Sequence, residues 1–228
     1  MLDFVSKWLS KSTRKIRQKL RASAKKRGMK EYSLFDARGR RKYLVPVERR
    51  RFLEAALEAR GKTATFCAVL TLCGARISEV LALTPERIDV GNCSIHFETL
   101  KRRQRGITRA IPVPQELIFY LDAVHQITTT QLDPKKATEP LWTWSRTTAW
   151  RRVRAVMKMA ANPAYVSQPK AVRHAFGIEA AMNGVVITMI REWLGHADIR
   201  TTMIYTTVIG PEARTLAEKT WRDLTSLF

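Results

Sequence analysis

Apolar residues along the chain follow two different periods, and the switch between them outlines the fold. Pro46 followed by the 48–59 stretch places apolar positions on one face of a helix, with Gly61 closing it. Residues 63–73 are apolar on almost every side and predict a buried helix. A third helical stretch over 76–83 stops at Thr84-Pro85. The period then shortens. Residues 94–100 are rich in β-formers, and 107–113 alternate apolar with polar. Together they predict a hairpin whose tip is the basic stretch Lys101-Arg102-Arg103-Gln104-Arg105-Gly106. Helical spacing returns at 115–126, and the polar 128–139 stretch reads as a loop. Residues 145–160 predict a helix with Ser145 as N-cap. The 169–206 region predicts two or three short helices broken near Gly184 and Gly195, and 211–227 one amphipathic C-terminal helix. The expected fold class is mixed α+β, mainly α-helical, with a small antiparallel sheet near 93–113.

The first 42 residues stand apart. Phe4, Val5, Trp8, Leu9, Ile16 and Leu20 recur at roughly helical spacing, while 11–30 is dominated by Lys and Arg. A basic helix and a flexible arm both fit. The expected organisation is an arm over 1–42, a main domain over 43–210 and a C-terminal helix over 211–228, the last a candidate for docking on a neighbouring subunit.

Charge narrows the partner. Lys and Arg total 41 against 20 Asp and Glu, a net charge of +21. Such an excess favours a polyanion, nucleic acid first and an anionic membrane surface second. Lys25, Lys26 and Arg27 in the arm, and Arg102, Arg103 and Arg105 at the hairpin tip, are candidates for phosphate-backbone contacts. The three cysteines Cys67, Cys73 and Cys93 form no C-x-x-C pair, and an odd number argues for free thiols in a reducing compartment. No apolar run is long enough to span a bilayer, and the start lacks the charged-then-apolar order of a signal peptide. A cytoplasmic, nucleoid-associated protein without membrane contact is expected.

The candidate chemistry is phosphoryl transfer without metal or cofactor. No P-loop pattern is present, and His96, His125, His174 and His196 lack metal-ligand spacing. No paired acidic motif suggests a two-metal nuclease. Metal-free attack on a phosphodiester needs cations for the non-bridging oxygens, an acid for the leaving oxygen and a nucleophile that conserves the bond as a phospho-enzyme.

Such a set exists. Cys73-Gly74-Ala75-Arg76-Ile77-Ser78-Glu79-Val80-Leu81-Ala82-Leu83-Thr84 resembles the first box, G-x-R-I-S-E-L-x-x-L, of the tyrosine recombinases (the phage-integrase family). Lys170-Ala171-Val172-Arg173-His174-Ala175-Phe176 resembles the second box, H-x-L-R-H-x-F. Trp193-Leu194-Gly195-His196, followed by Tyr205, resembles the L-G-H box and nucleophile. The resemblance covers roughly 43–210.

It implies that Arg76 and Arg173 clamp the scissile phosphate, with Glu79 orienting the site. It implies that Tyr205 attacks to form a 3′-phosphotyrosyl bond, and that His196 bonds the phosphate or positions the tyrosine. Lys101, at the hairpin, is the expected general acid, because lysine gives up a proton far more readily than the neighbouring arginines. Lys170 stands where the family usually has histidine and is a poorer proton acceptor, so the general base stays open. His174 is expected to be a buried supporting residue. The implied function is site-specific recombination or integration of duplex DNA by a homo-tetramer, as carried by a bacterial mobile element. The alternatives are a type IB topoisomerase-like activity and a catalytically weak DNA-binding accessory protein. Only about 45 residues precede the first catalytic helix, as in small fimbrial-type invertases, so an accessory DNA-binding protein is a candidate for the missing clamp.

Overall fold

The computed structural model describes residues 33–98, 108–206 and Glu218. Lys25, Lys26 and Arg27 of the expected arm, Lys101, Arg102, Arg103 and Arg105 of the expected hairpin tip, and the expected helix over 211–228 (Glu218 excepted) lie outside the described residues.

Helix α1 (Pro46–Glu58) begins at a proline, whose missing N–H costs nothing in the first turn. The Glu48 carboxylate accepts from Val45 N at 3.1 Å and from both terminal nitrogens of Arg41, tying the incoming chain to the helix start. Arg60, at φ 53°, breaks the chain before α2 (Gly61–Cys73). The predicted buried helix over 63–73 is α2. Phe66, Cys67 and Val69 are fully buried, and α1, α4 and α8 pack around it. Burial also pushes the thiols of Cys67 and Cys73 up to about 12, so neither is a nucleophile. Helix α3 (Ile77–Leu81) is shorter than the 76–83 expectation, and a 3₁₀ turn (Pro85–Arg87) follows it.

The predicted strands pair as expected. β2 (Ser94–Glu98) and β3 (Thr108–Pro112) are antiparallel, with Ile95 opposite Ile111 and Phe97 opposite Arg109. A two-residue strand β1 (Ile88–Asp89) adds to the β2 edge, giving the order β1-β2-β3. Inward positions Ile95, Phe97, Arg109 and Ile111 are buried, the first, second and fourth as core.

Helix α4 (Gln115–His125) ends at Gln126 in the left-handed region. The loop expected over 128–139 is instead two short helices, α5 (Ile127–Gln131) and α6 (Pro134–Ala137). Tertiary and capping contacts overrode the weak local propensity of this Thr-rich stretch. Ile127 is fully buried, the Gln131 amide donates to Pro85 O and Ile88 O at 2.8 Å each, and the Asp133 carboxylate accepts from Lys135 N and Lys136 N. Helix α7 (Arg146–Met159) has Ser145 as N-cap, its hydroxyl accepting from Thr148 N at 3.1 Å. The 169–206 region holds three helices: α8 (Pro169–Met182), α9 (Ile187–Leu194) and α10 (Arg200–Met203), with Gly184 and Gly195 at positive φ between them.

The main core gathers α1–α4, the sheet, α7 and the inward face of α8. A second cluster joins Leu34, Phe176, Ile178, Ala181, Ile190, Leu194 and Tyr205, with Tyr43 and Trp193 packed against it. Leu34 and Tyr43 thus bring the segment ahead of α1 into the same cluster as Tyr205. The candidate site lies where the two cores meet, along α8.

Candidate active site

Box one is built on a forced turn. Gly74 ends α2 at φ 58°, a conformation that disfavours side chains, and a Cβ there would lie 2.4 Å from the Phe176 ring. Arg76, the N-cap of α3, keeps extended backbone, and its N–H donates to Glu79 Oε2 at 2.8 Å. Its guanidinium donates to Glu79 Oε1 at 2.6 Å, and Nη2 reaches Gly195 O at 3.5 Å. Glu79 is 3% exposed. Burial works to raise its pKa, but the charges of Arg109 and Arg76, with the hydrogen bonds they donate, hold it below the usual carboxylate value.

The third box is a helix C-terminus. Gly195 caps α9 at φ 61°, and His196 N bonds back to Arg191 O at 3.0 Å while Gly195 N bonds to Glu192 O at 2.8 Å. That capping turn leaves the next three carbonyls pointing at the site, and a different arginine takes each one. Arg109 Nε donates to Trp193 O at 2.7 Å, Arg173 Nη2 to Leu194 O, and Arg76 Nη2 to Gly195 O. The negative end of the helix dipole therefore faces three cations. Arg173 also donates to Gly74 O at 2.8 Å, so it bridges the turns of boxes one and three. Burial first, and then the charge of Arg76, lower its pKa to about 9, which leaves it charged at neutral pH.

Tyr205 is 1% exposed. Its ring lies so close to α8 that a Cβ on Gly177 would come within 2.6 Å of it. The hydroxyl is 3.2 Å from His174 Nδ1, and the ring stacks on His196 at 6.4 Å between centroids and 17° between planes. Burial pushes the phenol up to about 12 although Arg173 and Arg76 pull the other way, so it is neutral at pH 7. His196 is fixed by Thr202 Oγ1, 2.9 Å from Nδ1. Among the described residues, His174 Nε2 is buried with no hydrogen-bond partner.

Both imidazoles are depressed to about 3, by burial first, then by Lys170 and Arg173 for His174 and by Arg173 and Arg76 for His196. His125, bonded to Thr65 at 2.9 Å, falls to about 4 for the same leading reason. All three are held neutral at pH 7, His174 and His196 buried and His125 half-buried, and the sign of the pH effect follows. The unfolded chain binds protons near pH 6.5 that the folded chain refuses, so stability is intact above that pH and drains away as pH falls. By pH 5 the burial of His174 and His196 costs at most about 2 kcal/mol each. The urea midpoint is expected to drop between pH 7 and 5, and a flat midpoint over that range contradicts neutral burial.

The structure thus brings Arg76, Glu79, Arg173, His174, His196 and Tyr205 into one cluster. Lys170 lies exposed in the first turn of α8, one helical turn before Arg173 and His174. Three residues of the cluster were not singled out from the sequence. Arg109 is buried on β3, Thr202 orients His196, and Gly177 makes room for Tyr205. Arg109 did leave a signal, being a charge at an inward-facing strand position.

Residues 42–209 match the model of the phage integrase family. The chain belongs to that family. Among its relatives, the tyrosine recombinase XerD of Proteus mirabilis is 26% identical over 158 residues, covering 66% of this chain and 49% of XerD. XerD of Mycobacterium tuberculosis is 32% identical over 142 residues, covering 59% of this chain and 44% of the relative. The chain therefore matches about half the length of these relatives. The same fold recurs in the crystal structure of XerA recombinase, with a TM-score of 0.64 at 24% identity over 78% of this chain and 64% of that one. It recurs in the XerH post-cleavage complex with palindromic difH substrate (0.63, 18%, 78% and 52%) and in the catalytic domain of bacteriophage HP1 integrase (0.53, 23%, 72% and 86%). The mainly helical fold with a small antiparallel sheet is the class expected from the periodicity, and the phage-integrase family is the one that the three boxes resemble.

Proposed function

We propose that this family member is a site-specific recombinase that cuts and rejoins duplex DNA through Tyr205. The observation that carries the reading is the convergence of Arg76, Arg173, His196 and Tyr205, three boxes far apart in sequence, around one helix C-terminus. Two arginines beside a tyrosine suit a phosphodiester, because a guanidinium binds non-bridging oxygens bidentately and stays charged. The XerD relatives are tyrosine recombinases, and XerH is a site-specific recombinase seen in a post-cleavage complex with its palindromic difH substrate.

In the reaction Tyr205 Oη attacks phosphorus and the 5′-oxygen leaves, taking a proton from Lys101. Arg76 and Arg173 stabilise the charge that builds on the non-bridging oxygens. A 5′-hydroxyl from the partner strand then attacks the 3′-phosphotyrosyl bond and releases Tyr205. The number of phosphoester bonds is conserved, so no energy source is consumed. Because Tyr205 is buried on His174, the 200–206 segment must shift to bring the hydroxyl to a phosphate. The tyrosine proton must also pass to an acceptor, a role for which a charged lysine at position 170 is poorly suited.

DNA binding draws on a one-signed surface. Between Glu139 and Glu179 the chain has no acidic residue, and α7 exposes Arg146, Arg151, Arg152, Arg154 and Lys158. Trp150 is interleaved with them, 4.8 Å from Arg154. If these side chains neutralise phosphates, alanines at Arg146, Arg151 and Arg154 lower the slope of log affinity against log salt by up to about 2.7, and filter binding across a salt series measures it. An unchanged slope removes α7 from the interface.

The remaining parts of the reading follow from it. The basic 1–42 arm lies along the DNA backbone, with Lys25, Lys26 and Arg27 as contacts, while Arg102, Arg103 and Arg105 approach from the hairpin tip. The 211–228 helix docks on a neighbouring subunit of a homo-tetramer in a bacterial, nucleoid-associated assembly, with an accessory DNA-binding protein as a further partner. Among the described residues no helix is long and apolar enough to cross a membrane.

The test is trapping on nicked suicide duplexes carrying the candidate site, run on a denaturing gel. A DNA-linked protein band supports the recombinase reading. Tight binding without a band favours the accessory binder, and resealing within one duplex without strand exchange favours the topoisomerase.

A further inference from the structure

Arg109 is 6% exposed and lies on β3, facing the core rather than any surface where DNA could lie. A buried arginine is costly unless its charge and its donors are matched. Here they are matched by groups of the candidate site. Nη2 donates to Glu79 Oε2 at 2.7 Å, Nε donates to Trp193 O at 2.7 Å, and the guanidinium carbon lies 5.4 Å from the centroid of the Phe97 ring. Gly195 packs against the same guanidinium, where a Cβ would come within 3.0 Å of Nη1.

We propose that Arg109 is a positioning residue of the active site, holding Arg76 through Glu79 and His196 through the end of α9. The assignment rests on the recombinase reading for its consequence in catalysis, and on the geometry for the positioning itself. Glu79 has two oxygens and serves two arginines: Oε1 takes the side chain of Arg76, while Oε2 takes Arg109 and Arg76 N. Arg109 keeps the buried carboxylate ionised while Arg76 turns toward a phosphate. Without it, Arg76 is the sole cation bonded to that carboxylate among the described residues. The carboxylate then either retains Arg76 or takes a proton and lets it drift. At its other end Arg109 satisfies the Trp193 carbonyl, two residues before Gly195 and three before His196. One side chain therefore sets two boxes, and β3, adjoining the connection that carries Lys101, is tied to both.

The experiment compares Arg109→Met, Arg109→Lys and the unaltered chain on saturating suicide duplex, reading adduct rate against pH, DNA affinity and amide exchange. Arg109→Met is expected to form adduct on the order of 100-fold more slowly with DNA affinity retained, as displacement by about 1 Å can do. It also gains an acid limb. Uncompensated burial raises the Glu79 pKa, so the rate falls further as pH drops. Arg109→Lys restores the charge and removes the limb, while losing the fork to Trp193 O, so its rate stays below that of the unaltered chain.

A rate and pH profile for Arg109→Met equal to those of the unaltered chain overturn the proposal. So does a loss of DNA affinity in parallel with rate, without an acid limb. Should Arg109→Met fail to fold, Arg109→Lys decides alone: an undiminished adduct rate overturns the proposal, and a slowed rate at unchanged affinity supports it. If the unaltered chain binds DNA and forms no adduct, the recombinase reading fails, and amide exchange still judges the positioning. Faster exchange at Gly195 and His196 in either variant, with α2 unchanged, supports it. Unchanged protection at both overturns it.

Discussion

Tyr205→Phe is expected to abolish the proposed covalent DNA adduct, lowering its rate of formation by a factor on the order of 10⁴ or more, as loss of a nucleophile does. The duplex remains bound, because the cationic surface and both arginines are untouched. The described tyrosines Tyr43, Tyr120 and Tyr165 do not substitute, since none stacks on His196 beside the arginine pair as Tyr205 does. The same variant has a second readout. Removing the hydroxyl takes away the 3.2 Å partner of His174 Nδ1, whose Nε2 already lacks one. Leaving a buried imidazole without that bond costs about 1–3 kcal/mol, unless the ring repacks. A thermal scan should show the variant no more stable than the unaltered chain. Adduct surviving in Tyr205→Phe places the nucleophile elsewhere and removes the central step of the mechanism.

Arg173→Ala should be the most damaging change in the cluster to fold and reaction together. Its guanidinium is held between Gly74 O and Leu194 O, two carbonyls that have helix-end geometry and depend on it. Orphaning both costs roughly 2–6 kcal/mol at about 1–3 kcal/mol for each buried acceptor. A fall of that size is a large part of the stability of a domain this small. Arg76→Ala offers the contrast. Its side chain is 25% exposed, so it should lose adduct formation while unfolding near the temperature of the unaltered chain. Differential calorimetry beside the suicide-substrate assay separates the two roles. Equal melting temperatures for both variants would contradict the bridging role of Arg173.

Local pattern reached far into this fold because most elements are locally self-consistent. The apolar 63–73 stretch predicts a buried helix, and the β-formers of 94–100 with the alternation of 107–113 predict a hairpin. Ser145 ahead of a helical run is a capping signal that needs no tertiary context. Boxes one and three were equally legible, since Arg76 and His196 stand next to the forced turns at Gly74 and Gly195. Where the reading stopped short, a long-range contact decided. Residues 128–139 look like a loop until Gln131 finds Pro85 O and Ile88 O across the fold. A two-residue strand such as β1 has no period of its own and exists through its pairing with β2.

Sequence alone determined the family, most of the helix and strand pattern, the cationic character and the residues proposed for phosphoryl chemistry, because each depends on residue type and near-neighbour spacing. Only the tertiary structure decided how they act together. Packing sank Tyr205 against Gly177 and joined Leu34 to its cluster. The turn after α9 aimed three carbonyls at three arginines drawn from β3, α8 and the start of α3. A buried charge must find its partner wherever the chain brings one, and for Arg109 that partner lies 30 residues away on one side and 84 on the other.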